Sequence, residues 1–562
     1  MKLANLDKNL ILLALIAVIF FAIYSYLPYH QFIGAKGGRI IFNSPDATGN
    51  YFFTKLIAEE SSLRYFEPLN LIAKDTIHLR GVRVINSHLV PASFLGMIII
   101  YGLIAKIFTV DVIIFLTPFF SAVAVVFFYL FLKEVFNKNI ALCSSLLLFI
   151  VPAFWLYSSR SMFHNVIVID FLIISIFFLV KTLKDQKTIF IIISSIFLGL
   201  AILCRVSEVL WLVPLFFLIL LFYIKKTKFR YWYSSIAILA VFAIMLFSLN
   251  QILYGSPLAT GYNQASVISG QDETNEVDNV SQVQQVISVK TTHPLTTQIK
   301  GFLLPFGFYL DRSILNLFRY WPQFFWWFFV PSFFGGLIYL DRLFQHQKKS
   351  NYKKKNLGVY LLLFILVSSF LTIYYGGWQI ADRLTPQTAS LGTSYVRYWL
   401  FIYVFSLPLA SFFVVELLKV FTKDFFRSIA ASVMIVYFAY FSVQLTMFKT
   451  DESIYNIKQR IDEYYLKAEK VLALTPQDSI IISQRSDKIF FPERRVMSGI
   501  ANEDILTLLP NLIKRVPVYY YTYWGEEDIE FWQKDFLVNY DLELTDKHVI
   551  FGNEKLYQVV ID

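Results

Sequence analysis

Only two cysteines occur in 562 residues. Cys143 and Cys204 both fall in apolar segments without metal-ligand spacing, so neither a disulfide framework nor a zinc site is indicated. Charge is scarce too: Asp, Glu, Lys and Arg make up 16% of the chain, against 57% hydrophobic and 18% aromatic residues and a mean hydropathy of +0.56. A soluble core of this size needs a far more polar surface, so the chain reads as a polytopic membrane protein. No internal repeat is visible. The net charge of +10 does not point to nucleic acid, because the basic residues sit in short loops between apolar runs, where they set topology. The first apolar segment, Asn9 to Pro28, has a Lys2/Lys8 flank and no small-residue cleavage site, which reads as a retained helix rather than a removed signal peptide.

Further candidate spans cover about 112–132, 140–157, 165–180, 188–204, 207–224, 232–250, 322–340, 357–374, 399–418 and 428–446, eleven in all. The run Pro91 to Phe108 fits either a short span or a helix lying in the interface. Charge decides between them. If this run does not cross, Lys2/Lys8, Lys133/Lys138, Lys181/Lys184/Lys187, Lys225/Lys226/Lys228/Arg230, the Arg342 to Lys355 cluster and Lys419/Lys423/Arg427 all share one side. That side is the cytoplasm by the positive-inside rule; a crossing would invert every later loop. The expected topology therefore has a cytoplasmic N-terminus, a first external loop over 29–111 with an interfacial helix inside it, and a second large external loop over 251–321. A transmembrane domain over 1–446 is followed by an extracytoplasmic α/β domain over 447–562. In that tail Ile454, Ile457, Ile461, Tyr464, Ala468 and Val471 recur at helical spacing, and β-rich runs at 479–483, 516–521, 548–551 and 556–561 alternate with a helical pattern over 502–514.

All the uncommon chemistry falls on the external side. Asp46, in Asn43-Ser-Pro-Asp46, stands close to the membrane surface just after the first helix, where a carboxylate can meet both a lipid-linked and a water-borne substrate. An ordinary turn is the competing account, since Ser-Pro-Asp is turn chemistry. The turn Tyr157 to Asn165 carries Arg160, His164 and Asn165; the hinge Cys204 to Glu208 carries Arg205; Leu79-Arg-Gly-Val-Arg83 carries Arg80 and Arg83. Each has a structural alternative: Arg205 pairing with Glu208, Arg397 snorkelling at a helix end, Arg80 and Arg83 in a solvated loop, His164 as a hydrogen-bonded residue rather than a base. The aromatic cluster Trp321 to Phe329 reads as a bilayer anchor. Asn279-Val-Ser281 matches an N-glycosylation acceptor pattern.

The layout resembles the GT-C membrane glycosyltransferases, and most of all the branch with dolichyl-phosphate-mannose protein mannosyltransferases and aminoarabinose transferases (glycosyltransferase family 39-like). The resemblance is carried by Asn43-Ser-Pro-Asp46, Ser159-Arg160 with Asn165 five residues on, Gly199-Leu-Ala-Ile-Leu-Cys-Arg205, Gly255 to Tyr262 and Gly392-Thr-Ser-Tyr-Val-Arg-Tyr398. It runs from Met1 to Thr446 and leaves the tail outside. It implies an all-α polytopic fold of GT-C type and inverting transfer of a sugar from a polyprenyl-phosphate carrier to a hydroxyl acceptor on protein, lipid or glycan, at the outer face of the plasma (inner) membrane. Asp46 is then the base. Arg205, Arg397, Arg80 and Arg83, in that order, are candidates for the leaving phosphate, since an Arg fork holds phosphate oxygens bidentately. Arg160, His164, Asn165, Tyr262 and Tyr395 are candidates for the substrate cleft. A single carboxylate fits one-step displacement better than a retaining pair. The family commonly has a second acid after the first, whereas Ala47 follows Asp46 here, and hard cations want several oxygen ligands; no metal and no cofactor is expected to be required. The rivals are a transporter or flippase of lipid-linked sugars, which more often shows paired repeats and charges at mid-membrane depth, and a glycan polymerase or ligase. Here the spans are nearly charge-free, Asp170 being the clearest exception.

Overall fold

A chain with so little charge must satisfy its own backbone inside hydrocarbon, and helices do so within one segment. The computed structural model describes residues 7–261, 307–344, 351–378, 389–499 and 503–562. Among them six helices are long and apolar enough to cross a bilayer, or nine if each of three bent helix pairs is one span; Leu95–Ile107, Thr188–Cys204 and Val206–Phe222 are shorter apolar helices. The first span is α1 (Lys8–Tyr24) and α2 (Tyr26–Gly34), bent by 41°. The segment that follows holds α3 (Pro45–Glu60), β1 (Tyr65–Phe66), α4 (Asn70–Ala73), β2 (Val82–Ile85), β3 (His88–Pro91) and α5 (Leu95–Ile107). At 13 residues α5 is about 20 Å long, too short for a hydrocarbon core of about 30 Å.

Next come α6 (Ile113–Val135), α7 (Lys138–Ile150), α8 (Pro152–Ser159), α9 (His164–Asp185), α10 (Thr188–Cys204), α11 (Val209–Phe222) and α12 (Phe229–Tyr254). Pro152 occupies the first position of α8 and holds Val151 extended, which breaks α7 from α8 at 55°. Hydroxyl pairs fasten the bundle: Ser175 to Ser194, Ser195 to Ser235 at 2.9 Å and Ser144 to Ser411 at 2.9 Å. At one end, basic residues find carboxylates on neighbouring helices. Lys133 reaches Asp7, the N-cap of α1, at 2.6 Å, and Lys184 reaches Glu134 at 2.6 Å.

In the second large loop residues 262–306 lie outside the described residues, and α13 (Leu310–Phe318) is within it; then come α14 (Trp326–Phe344), α15 (Asn351–Gly376), α16 (Ser394–Tyr398), α17 (Leu400–Leu418) and α18 (Asp424–Val443). The span expected at 322–340 is shifted. A wide turn at Arg319–Gln323 containing Pro322 intervenes, and the two arms meet at 100°. The reading of Trp321 to Phe329 as a bilayer anchor is corrected: Trp321, Phe325, Trp327 and Phe328 are buried, packed on Tyr403, Phe438 and Phe441.

The tail comprises α19 (Ile454–Leu474), β4 (Ile480–Ser483), α20 (Asp487–Phe490), β5 (Arg495–Ser498), α21 (Glu503–Ile513), β6 (Val518–Thr522), α22 (Glu526–Asp535), β7 (Leu542–Phe551) and β8 (Glu554–Ile561). The sheet order is β5-β4-β6-β8-β7, with β4 parallel to β5 and β6 and the remaining pairs antiparallel. Three elements escaped the sequence pattern: the short helix α20, four-residue β5, and α22, a polar helix with Glu526, Glu527 and Asp528 in its first turn. The first external segment is built into this sheet. Ala73 and Ile77 sit in its core with Ile480, Met497 and Leu509, and Ile77 bridges to Met497. Phe53, Leu79 and Val82 share a second core with Val471, Ile481 and Phe490.

Arg80 locks the two parts together. Its side chain lies 2.7 Å from the fully buried Asp487, its backbone N–H donates to the same carboxylate at 2.9 Å, and Arg495 pairs with Glu67 at 2.9 Å. Removing one partner of a buried ion pair strands the other charge, at a cost of about 3–5 kcal/mol. Arg80→Ala is therefore expected to lower the melting temperature of the detergent-solubilised protein and to expose the 62–91 segment to protease. Wild-type melting and wild-type cleavage would show that the pair does not join segment and sheet.

Candidate active site

Pro45 opens α3, and Asp46 follows in its first turn, where a negative charge is favoured by the helix N-terminus. The side chain is half-buried, and no described residue engages its carboxylate in a hydrogen bond or ion pair. Its back wall is Gly81. That residue has φ +84°, and a Cβ there would stand 3.0 Å from Asp46 Oδ1 and 3.3 Å from its Cα. Both the left-handed backbone and the contact therefore demand glycine. From the tail, Tyr464 donates to Asn43 Oδ1 at 3.3 Å and carries the Lys488 ammonium 5.2 Å above its ring. Burial, and then the charge of Arg80, push that ammonium down to about 8.

One helical turn after Asp46, Asn50 is 2% exposed and joins three segments. Its Nδ2 donates to the Met162 carbonyl at 3.0 Å and lies 3.1 Å from His164 Nε2, while its Oδ1 accepts from Ser93. The sequence reading missed Asn50 and Ser93; the i, i+4 relation of Asn50 to Asp46 was the available signal. The Phe94 ring stands edge-on to His164 at 6.0 Å, and Arg205 lies 6.0 Å from the same ring. Gly96 packs on Leu203 and Cys204 so closely that no Cβ fits, which brings the start of α5 to the end of α10 and to Arg205.

Arg205 caps α10. It pairs with Glu208 at 2.7 Å, donates to Tyr375 Oη at 3.2 Å and rests 4.2 Å over the Tyr398 ring. The expected structural partner is thus present, and Tyr375 also donates to Glu208 at 2.6 Å. Arg397 bonds Ser394 Oγ at 2.8 Å and lies 5.3 Å from Tyr398 and 5.8 Å from Phe163. Arg160 covers Phe163 at 4.5 Å and reaches Glu452 at 3.3 Å. Gly392 leaves room for that glutamate, since a Cβ there would strike its side chain. Arg160, Arg205, Arg397 and His164 thus surround one aromatic-walled basin beside the first turn of α3.

Other candidates lie elsewhere. Arg80 faces Asp487 and is a tie to the tail, so its assignment to the donor phosphate is withdrawn on this geometry. Arg83 Nε donates to the Gly261 carbonyl at 3.3 Å, which binds the first loop to the 255–261 turn. Tyr395 is buried, bonded by Asn316 at 3.1 Å and donating to the Trp378 carbonyl, so it braces α16 rather than lining an open cleft. Asn165 is half-buried in the first turn of α9. Tyr262 and Asn279-Val-Ser281 lie outside the described residues. Among the described residues no three His, Cys, Asp or Glu side chains come together as a metal's ligand set.

Comparison with known proteins agrees with this architecture. Residues 92–250 match the family model described as dolichyl-phosphate-mannose-protein mannosyltransferase. ArnT from Cupriavidus metallidurans, solved bound to undecaprenyl phosphate, is similar in fold with a TM-score of 0.51 at 8% identity, over 96% of this chain and 97% of that one. The Archaeoglobus fulgidus oligosaccharyltransferase, solved with zinc and sulfate, gives a TM-score of 0.50 at 12% identity, over 94% of this chain and 71% of its own. A search of curated protein sequences finds no match. The chain has the fold of the GT-C membrane glycosyltransferases, and the likeness to ArnT extends past Thr446 into the tail that the sequence resemblance left out.

Gly81→Ala tests the wall behind Asp46. The added methyl presses on the carboxylate and opposes the left-handed backbone, so sugar transfer is expected to fall by about 10²-fold with little change in expression. Full activity in the purified variant would remove Gly81 from the site.

Proposed function

We propose that this protein transfers a hexose or pentose from a polyprenyl-phosphate carrier to a hydroxyl of a protein, lipid or glycan, with inversion, at the outer face of the plasma (inner) membrane. The observation that carries the proposal is the unengaged Asp46 carboxylate, one helical turn from the Asn50–His164 contact and hence from the Arg205–Arg397 basin. In the reaction, the acceptor oxygen attacks the anomeric carbon from the face opposite the phosphate. Asp46 takes the hydroxyl proton as the new C–O bond forms. The bond from the anomeric carbon to the phosphate oxygen breaks, and its electron pair leaves with the polyprenyl phosphate. Arg205 and Arg397 hold that phosphate and stabilise the charge that develops on it. Aromatic faces under both guanidinium groups fix them in place before the donor arrives. No metal is assigned to any of these steps.

Sidedness belongs to the same reading. The basic ends near Asp7, Lys133 and Lys184 face the cytoplasm, and Asp46 and the tail face outward. Cysteine labelling in intact cells checks this: a cysteine at Lys138 is expected to stay protected from an impermeant reagent and one at Lys514 to react. The opposite pattern overturns the orientation.

Chemistry is checked by Asp46→Asn, which preserves volume and turn chemistry and removes the base. Transfer is expected to fall by about 10²-fold or more while carrier binding stays near wild type. An Asp46→Asn enzyme working at the wild-type rate excludes Asp46 as base. Arg205→Ala and Arg397→Ala are expected to weaken binding of undecaprenyl phosphate, and lysine to restore it only in part, because a point charge does not reproduce the guanidinium fork.

A further inference from the structure

The hydrogen bonds around Asn50 determine the protonation of a neighbouring ring. The Met162 carbonyl only accepts, so the Asn50 atom 3.0 Å from it is the amide nitrogen, Nδ2. That same nitrogen lies 3.1 Å from His164 Nε2. An amide N–H cannot face a ring N–H, so Nε2 is the accepting nitrogen. The neutral ring therefore carries its hydrogen on Nδ1. His164 is 8% exposed, and its Nδ1 is buried with no hydrogen-bond partner. A buried donor left unmade is costly, and the guanidinium charges of Arg205 and Arg397 both act on this ring. What fits an unpartnered N–H on a ring that feels two guanidinium charges is an anionic oxygen.

We propose that His164 is a phosphate-binding residue: its Nδ1–H donates to a phosphate oxygen of the polyprenyl carrier held by Arg205 and Arg397, and Asn50 fixes the tautomer that makes this possible. The proposal rests on the donor-site reading above. It also excludes His164 as general base, since Nδ1 already holds a proton and Nε2 is occupied by Asn50. His164 thus supplies a neutral donor, which adds a directed bond without adding to the positive charge of Arg160, Arg205 and Arg397.

Two isosteric replacements separate this role from a structural one. The amide nitrogen of asparagine overlays histidine Nδ1, and that of glutamine overlays Nε2. Binding of undecaprenyl phosphate, with undecaprenol as the phosphate-free control, is measured on the full-length purified protein by native mass spectrometry, alongside its melting temperature. His164→Asn is expected to stay within about threefold of wild type, whereas His164→Gln and His164→Ala lose about 10- to 100-fold for the phosphate and nothing for undecaprenol. If His164→Gln binds the phosphate as wild type does while His164→Asn fails or melts early, the residue serves only its contact with Asn50, or its Nδ1 meets water alone, and the proposal is overturned. Arg205→Ala in the same assay tests the underlying reading: loss there with retention in His164→Gln refutes only the histidine's role, and retention in both refutes the donor site itself.

Discussion

One buried amide, that of Asn50, holds the site together. Its two polar atoms reach the turn before α9, the ring of His164 and the hydroxyl of Ser93 ahead of α5. Two loops that the bundle delivers to the same end are thereby set in register with α3. Asp46 sits one turn earlier on that helix, so its distance from the basic basin is governed by helix geometry rather than by a flexible loop. Inside a medium of low dielectric such a network is stable only when every member is satisfied, and here the single member left open is the histidine nitrogen facing the basin.

The basin has its own logic. Arginines brought into a water-poor site need compensation, and this protein supplies it with π-faces as well as carboxylates: Tyr398 lies under both Arg205 and Arg397, and Phe163 under both Arg160 and Arg397. Glu208 and Glu452 neutralise part of the charge from the flanks.

Much of this was legible in the chain because its signals are local. Apolar length and the positions of Lys and Arg mark eleven spans and exclude α5 as one, and the bent pairs occur where proline or a short polar stretch interrupts the run. Asp46 and Arg205 stand out because charge is rare around them. The illegible parts depend on distance. Arg80 reads as a loop cation until Asp487, 407 residues away, closes on it. Nothing local separates Tyr395 or Trp327 from interfacial aromatics, since burial there is decided by α13, α15 and α18 rather than by their own sequence neighbours. Four-residue β5 and polar α22 carry too little hydrophobic periodicity to be seen.

The interlocking of the first external segment with the tail also sets an order of events during synthesis. Ala73, Ile77, Leu79 and Arg80 pack on or pair with residues beyond Thr446. At about 5–20 residues added per second, the Asp46 loop emerges and waits about 20 to 80 s for the strands that bury its far side. A chain not yet extended through the tail's strands therefore carries Asp46 against an unfinished wall.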